Sequence, residues 1–142
     1  MKSFLAAATA MTVLTAISPV RSQDVAAGEK VFKKCKACHK VGDDAKNGVG
    51  PILNGVIGRP AGSVDGYKYG TGMQQAGAAG LVWSEELILE YITDPKTFLR
   101  TYLDDPKAKA KMVFKLKKEQ DRLDVLAYVK TFSPETGASA AD

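Results

Sequence analysis

Histidine and tryptophan each occur once in this 142-residue chain, cysteine twice and methionine four times. A structural zinc site of four cysteines, or of two cysteines and two histidines, is excluded, because the chain holds only three such ligands. A disulfide-dense scaffold is excluded on the same count. Strong charge of one sign is also lacking. Twenty Lys+Arg face 16 Asp+Glu, a formal net charge of +4 that by itself is no argument for an acidic partner. The remainder is ordinary for a globular protein. The composition is 45% hydrophobic and 25% charged, too apolar for disorder, and the length suits one domain. Any chemistry must be carried by very few reactive side chains.

Membrane-length apolar runs are missing too. The longest run, residues 4–17, follows Lys2 and precedes Ser18-Pro19-Val20-Arg21-Ser22. At about 14 residues it suits the apolar region of a secretory signal and is short for a membrane span. Residues 1–22 therefore read as a signal peptide, with Val20 and Ser22 at −3 and −1 and cleavage after Ser22. Cleavage after Ser18 is disfavoured because Pro19 follows it, and an uncleaved N-terminal anchor is the alternative. Removing Lys2 and Arg21 lowers Lys+Arg from 20 to 18 against 16 Asp+Glu, a net +2. The mature domain, residues 23–142, is expected to be soluble and exported to the periplasm.

Export bears on the cysteines, since a bare thiol pair tends to oxidise in such a compartment. Cys35-Lys36-Ala37-Cys38-His39 holds every cysteine and histidine of the chain and has the C-x-x-C-H haem-attachment spacing. Two thiols one helical turn apart can each add to one vinyl group of a haem, and the adjacent imidazole is then held beneath the ring. Three other readings share these residues. A thioredoxin-like pair needs a preceding strand, which the sequence does not show. A structural disulfide leaves His39 unexplained. A three-ligand metal site needs a carboxylate as a fourth ligand.

A haem iron that only carries electrons needs an axial ligand on each face. With one histidine, bis-histidine ligation within the chain is impossible, which leaves methionine, lysine or an open site. Met1 and Met11 leave with the signal, so the thioether candidates are Met73, after Gly70-Thr71-Gly72, and Met112, 73 residues beyond His39. Met112 is favoured because it lies in a segment able to wrap the other face of the ring. Either methionine could instead fill a core gap.

The local pattern is helical. A helix is expected over 24–37, capped by Asp24, with Val31, Phe32 and Cys35 on one side. Residues 42–72 carry nine glycines with Pro51 and Pro60 and read as loop, with Ile52, Leu53, Val56 and Ile57 needing burial. A short helix is expected over 73–78. Ser84-Glu85-Glu86 opens another to about Tyr91. Asp94-Pro95 starts a further short helix to about Tyr102. The last helix runs over 118–131, and residues 133–142 are expected to fray. A chain with so long a glycine-rich loop has little core of its own, and an apolar macrocycle would supply a centre.

Beyond the attachment motif, the mature sequence resembles the class I c-type cytochromes, and within them the bacterial cytochromes c2, relatives of mitochondrial cytochrome c. The resemblance runs through Gly28-Glu29-Lys30-Val31-Phe32, Gly48-Val49-Gly50-Pro51-Ile52-Leu53, Gly55-Val56-Ile57-Gly58-Arg59 and Gly66-Tyr67-Lys68-Tyr69. It continues through Trp83, Tyr91-Ile92-Thr93-Asp94-Pro95-Lys96, Lys111-Met112-Val113-Phe114 and Leu126-Ala127-Tyr128-Val129. It implies an all-α fold of four to five helices and glycine-rich loops around one covalent haem c. It implies attachment through Cys35 and Cys38 and axial ligation by His39 and Met112. The Pro51 carbonyl would accept the His39 ring N–H. Arg59, Tyr69 and Trp83 would surround a propionate, and Tyr91 would lie near the Met112 sulfur. Gly28 and Phe32 would cross the last helix at Val125 and Tyr128. Two departures stand out. Ala110 occupies the place of a threonine in the mitochondrial relatives, so one donor is absent or replaced. The segment 99–111 is longer than in the shortest relatives.

The resemblance also implies an electron carrier rather than an enzyme. A cytochrome bc1 complex would be the donor, with a photosynthetic reaction centre or terminal oxidase as acceptor. Contact with these membrane complexes would be transient and the protein a monomer. The charge pattern fits such docking. Lys107, Lys109, Lys111, Lys115, Lys117 and Lys118 crowd around Met112, while Lys33, Lys34, Lys36 and Lys40 border the attachment motif. Acidic residues from Glu85 to Asp105 precede the basic run. Nucleic acid is not an expected partner, because export removes it and no aromatic interleaving would stack bases.

Overall fold

The computed structural model describes residues 22–134; nearly all of the expected signal peptide (1–22), and the tail beyond Pro134 that is expected to fray, lie outside the described residues. Five helices appear in the order α1 (Val25–Phe32), α2 (Thr71–Ala78), α3 (Glu85–Thr93), α4 (Pro95–Tyr102) and α5 (Glu119–Lys130). The described residues contain no strand, only an isolated antiparallel bridge between Pro60 and Val82. None of their helices is long and apolar enough to cross a membrane.

Capping chemistry sets the helix starts. The Asp24 carboxylate accepts from the Ala27 amide at 3.0 Å, and the Ser84 hydroxyl from the Leu87 amide at 3.2 Å. The Asp94 carboxylate accepts from the Thr97 amide at 3.1 Å, with Pro95 in the first helical turn. Asp94 thus ends α3 and begins α4 in one residue. The helix expected over 24–37 stops at Phe32. Beyond it the chain tightens into turns: Cys35 N donates to Phe32 O, and Cys38 N to Cys35 O, in i→i−3 bonds. Those turns carry both cysteines.

α1 and α5 cross at Gly28. A Cβ there would lie 1.9 Å from the Asp124 carbonyl oxygen and 2.9 Å from Tyr128 Cβ, so only glycine permits the contact. At Gly28 itself the close contacts are with Asp124 and Tyr128, and Val125 is buried in the same core cluster as Phe32. Phe32, 1% exposed, meets the Tyr128 ring at 5.4 Å between centroids. Burying a side chain of this size contributes roughly 1.5–3 kcal/mol. The buried Asp124 carboxylate accepts from Asp24 N at 2.9 Å and from Gln120 Nε2 at 2.8 Å, satisfying a charge that would otherwise be costly. The long glycine-rich loop is ordered by side chains: the Asn54 amide brackets both backbone groups of Gly42.

Alanine is the better helix former by about 1 kcal/mol, yet at Gly28 it meets backbone that cannot yield. Gly28→Ala is expected to destabilise the protein by about 1–3 kcal/mol, the usual size of an overpacking effect. A lowered midpoint in guanidinium unfolding would show it.

Candidate functional site

The turns after α1, the loop 48–59, the segment 67–73, helix α3 and the segment 111–116 face one another across a largely apolar cavity of about 290 Å³. Cys35, Cys38, His39, Pro51, Arg59, Tyr69, Trp83, Tyr91 and Met112 all line it. Every residue expected to touch the cofactor is therefore in one place. Met73 lines it as well, so position on the wall alone does not separate the two methionines.

His39 is oriented from behind. Its Nδ1 lies 2.8 Å from the Pro51 carbonyl oxygen. A carbonyl only accepts, so Nδ1 carries the proton and Nε2 keeps its lone pair. Burial holds the imidazole pKa below its ordinary value, opposed by the bond to Pro51 and reinforced by Arg59. The loop that delivers Pro51 is itself fastened, Gly50 N donating to Cys38 O at 2.8 Å and Leu53 N to Lys40 O at 3.1 Å. It packs so closely that a Cβ on Gly50 would lie 2.5–2.9 Å from three atoms of the imidazole ring.

Cys35 and Cys38 form no disulfide with each other. Burial pushes the Cys35 thiol up, the nearby Cys38 adds to this, and Lys34 offsets part of it. A buried thiol held protonated is a poor redox nucleophile, which argues against the thioredoxin-like reading. The three-ligand metal reading fares no better: the described residues contain no group of three His, Cys, Asp or Glu side chains able to hold a metal ion.

Arg59 donates from both terminal nitrogens, to the Asn54 carbonyl at 3.2 Å and the Ile52 carbonyl at 3.1 Å. Burial lowers its pKa from the ordinary value, and Tyr69 partly restores it. The Tyr69 hydroxyl accepts from Val64 N at 3.2 Å. Trp83 and Tyr91 pack at 5.1 Å between ring centroids, and both contact Phe98. Burial raises the Tyr91 phenol well above its usual range, so it stays protonated. Ala110 packs against the apolar core.

The mouth of the cavity is apolar and exposed. Val113 is 84% exposed, Val49 66% and Phe114 39%, and all three also line the cavity. The lysines expected to meet a partner divide into two groups, those engaged within the chain and those that are not. Lys115 pairs with Asp94 at 2.6 Å and Lys118 with Asp121 at 3.2 Å. These ammonium groups hold both carboxyls below the usual carboxylate range. Lys40 Nζ donates to the Lys36 carbonyl at 3.0 Å, and Lys111 Nζ to the Lys68 carbonyl at 2.8 Å. Among the described residues, Lys33, Lys36, Lys107, Lys109 and Lys117 form no ion pair and are exposed.

An apolar slot lined by two cysteines, a neutral imidazole and two thioether side chains suits a flat metal macrocycle, and the donor set is that of a haem. Comparison with known proteins agrees. The cytochrome c family model matches residues 25–133. Cytochrome c2 iso-2 of Rhodospirillum centenum is 54% identical over 118 residues, 79% of this chain and 98% of that protein. Cytochrome c-551 of Roseobacter denitrificans is 48% identical over 136 residues, 91% of this chain and 94% of that one. The solved structure of cytochrome c2 from Rhodospirillum centenum superposes with a TM-score of 0.75 at 53% identity, covering 78% of this chain and 99% of that chain. The chain belongs to the cytochrome c family, with the class I fold of its cytochrome c2 members. Membership makes it a monohaem electron-transfer protein, not an enzyme, with one covalent haem c.

Two further residues matter here that stand in the sequence only within matching stretches: Gly50, whose lack of a side chain admits the imidazole, and Tyr67. Gly50→Ala is expected to break the His39–Pro51 bond and destabilise the holoprotein by about 1–3 kcal/mol. A shifted reduction potential should accompany the lower unfolding midpoint.

Proposed function

We propose that this protein is a periplasmic electron carrier of cytochrome c2 type. It takes single electrons from a cytochrome bc1 complex and passes them to a photosynthetic reaction centre or a terminal oxidase. When bound, the haem supplies a one-electron ferric/ferrous couple. The chain does the rest. Cys35 and Cys38 fasten the macrocycle through thioether bonds. His39 Nε2 and the Met112 sulfur would hold the iron between them, so that nothing but an electron would be exchanged. The Pro51 carbonyl holds the imidazole in register and makes it a stronger donor. Arg59, Tyr69 and Trp83 offer donors to a propionate, and Tyr91 stands beside the thioether. The observation that carries this reading is the His39 imidazole, neutral and held through Nδ1 by Pro51, on the wall of a cavity that Met112 also lines.

Docking follows from the mouth of the cavity. Val49, Val113 and Phe114 offer an apolar contact of modest size, and the unpaired Lys33, Lys36, Lys107, Lys109 and Lys117 attract an acidic partner. Charge attraction speeds encounter without building a tight complex, which suits a carrier that must leave again. Lys40, Lys111, Lys115 and Lys118 belong to the same basic rim, but their ammonium groups are already engaged within the chain.

Met112→Ala is expected to remove the thioether signature from the visible spectrum and to open the ferric iron to imidazole or azide. Met73→Ala should leave the spectrum intact, and the opposite pattern would reassign the ligand. The lysines are tested by reaction rates with an acidic redox partner. Lys107→Gln or Lys109→Gln should slow the reaction roughly twofold to fivefold at low ionic strength and flatten its salt dependence. Lys115→Gln should do less. Rates that ignore ionic strength would remove the docking role.

A further inference from the structure

Tyr67 makes contacts on both sides of the cavity mouth. Its hydroxyl donates to the Val49 carbonyl at 2.6 Å. Val49 precedes Gly50 and Pro51, the pair that packs against His39. The other side of the mouth is reached through the ring: Lys111 Nζ stands 4.4 Å from its centroid, a cation–π distance. The same ammonium donates to the Lys68 carbonyl at 2.8 Å, and Lys111 is the residue before Met112. The ring cannot turn freely, because it meets Tyr69 edge-on at 4.7 Å between centroids. Gly70 leaves room for the lysine stem, since a Cβ there would lie 3.0 Å from Lys111 Cβ.

The segment carrying Met112 is fastened differently at its far end. There Leu116 N donates to the Ile92 carbonyl at 2.8 Å and Lys115 pairs with Asp94. Between the two ends Val113 is 84% exposed. At the near end Arg100 Nε donates to the Ala108 carbonyl at 3.3 Å, and the last hold before Met112 is Lys111, which is engaged by Tyr67 and Lys68.

We propose that Tyr67 is a positioning residue: through Lys111 it closes the Met112 side of the cavity onto the His39 side. It thereby limits how readily the Met112 segment swings away to admit another ligand. This rests on the reading of His39 and Met112 as the axial pair. One hydroxyl links Tyr67 to one ligand loop and one ring face links it to the other, so the pair acts as a unit. The positive charge of Lys111, rather than its length, is what the ring holds.

The test uses the ferric holoprotein at neutral pH, titrated with imidazole while the thioether-to-iron absorption is followed, with guanidinium unfolding in parallel. Tyr67→Phe removes the bond to Val49 and should raise imidazole affinity roughly threefold to tenfold, the size expected for one neutral hydrogen bond. Tyr67→Leu should raise it at least as much. Lys111→Met should raise it, whereas Lys111→Arg, which keeps the charge over the ring, should restore behaviour close to the parent. Combining Tyr67→Leu with Lys111→Met should add little to either alone. Unchanged affinity in Tyr67→Leu and Lys111→Met would overturn the inference. So would effects that simply add, or affinities that follow the unfolding midpoint across all variants. A parent spectrum without thioether character, left unaltered by Met112→Ala, would overturn the ligand assignment and this inference with it. The intact thioether spectrum with unresponsive variants overturns the inference alone.

Discussion

The hydrogen bond between His39 Nδ1 and the Pro51 carbonyl is the contact on which the rest of the site depends. It decides which ring nitrogen keeps a lone pair and where that nitrogen points. It exists only because Gly50 leaves no side chain in the way and because the loop is fastened to the backbone of Cys38 and Lys40. The same loop continues to Arg59, whose guanidinium turns back to the carbonyls of Ile52 and Asn54. One short stretch thus orients the imidazole, shapes one wall of the cavity and places a cation beside it.

The helices serve this arrangement from outside. The close crossing of α1 and α5 at Gly28 fixes where α1 ends, and its end fixes the turns that bear Cys35 and Cys38. α3 and α4, joined through Asp94, carry Tyr91 and Phe98 into contact with Trp83. Burial pushes the Tyr91 phenol up and the His39 imidazole down, favouring the uncharged form of each, while Arg59 and Lys111 bring positive charge to the same cavity. Hydrogen bonds and burial at this wall would tune the cofactor's own electronics.

Much of the fold was legible residue by residue. Asp24, Ser84 and Asp94-Pro95 each mark a helix start, because capping is a local interaction between a side chain and an amide three residues on. Cys35, Cys38 and His39 were legible because their chemistry depends on spacing alone. The end of α1 was not: the sequence continues a helical pattern through Ala37, and the tighter turns win only in the folded chain. The lysines were the least legible. Ten similar side chains look interchangeable in sequence, yet Lys115 and Lys118 meet carboxylates and Lys111 meets an aromatic ring.

By itself the sequence determined the C-x-x-C-H motif, the exclusion of a second histidine ligand, the helical class and the starts of the helices that open on a capping side chain; α2, which has no such cap, begins at Thr71 and not at the expected Met73. Each of these rests on covalent spacing, composition or bonds spanning three or four residues. Tertiary structure alone decided the pairing of Tyr67 with Val49 and Lys111, the loop packed on His39, and the division of lysines into engaged and free. The contacts of His39 with Pro51, of Tyr67, and of Lys111 and Lys115 join residues 12 to 44 positions apart, and no local rule of the chain specifies which distant carbonyl, ring or carboxylate such a side chain will meet.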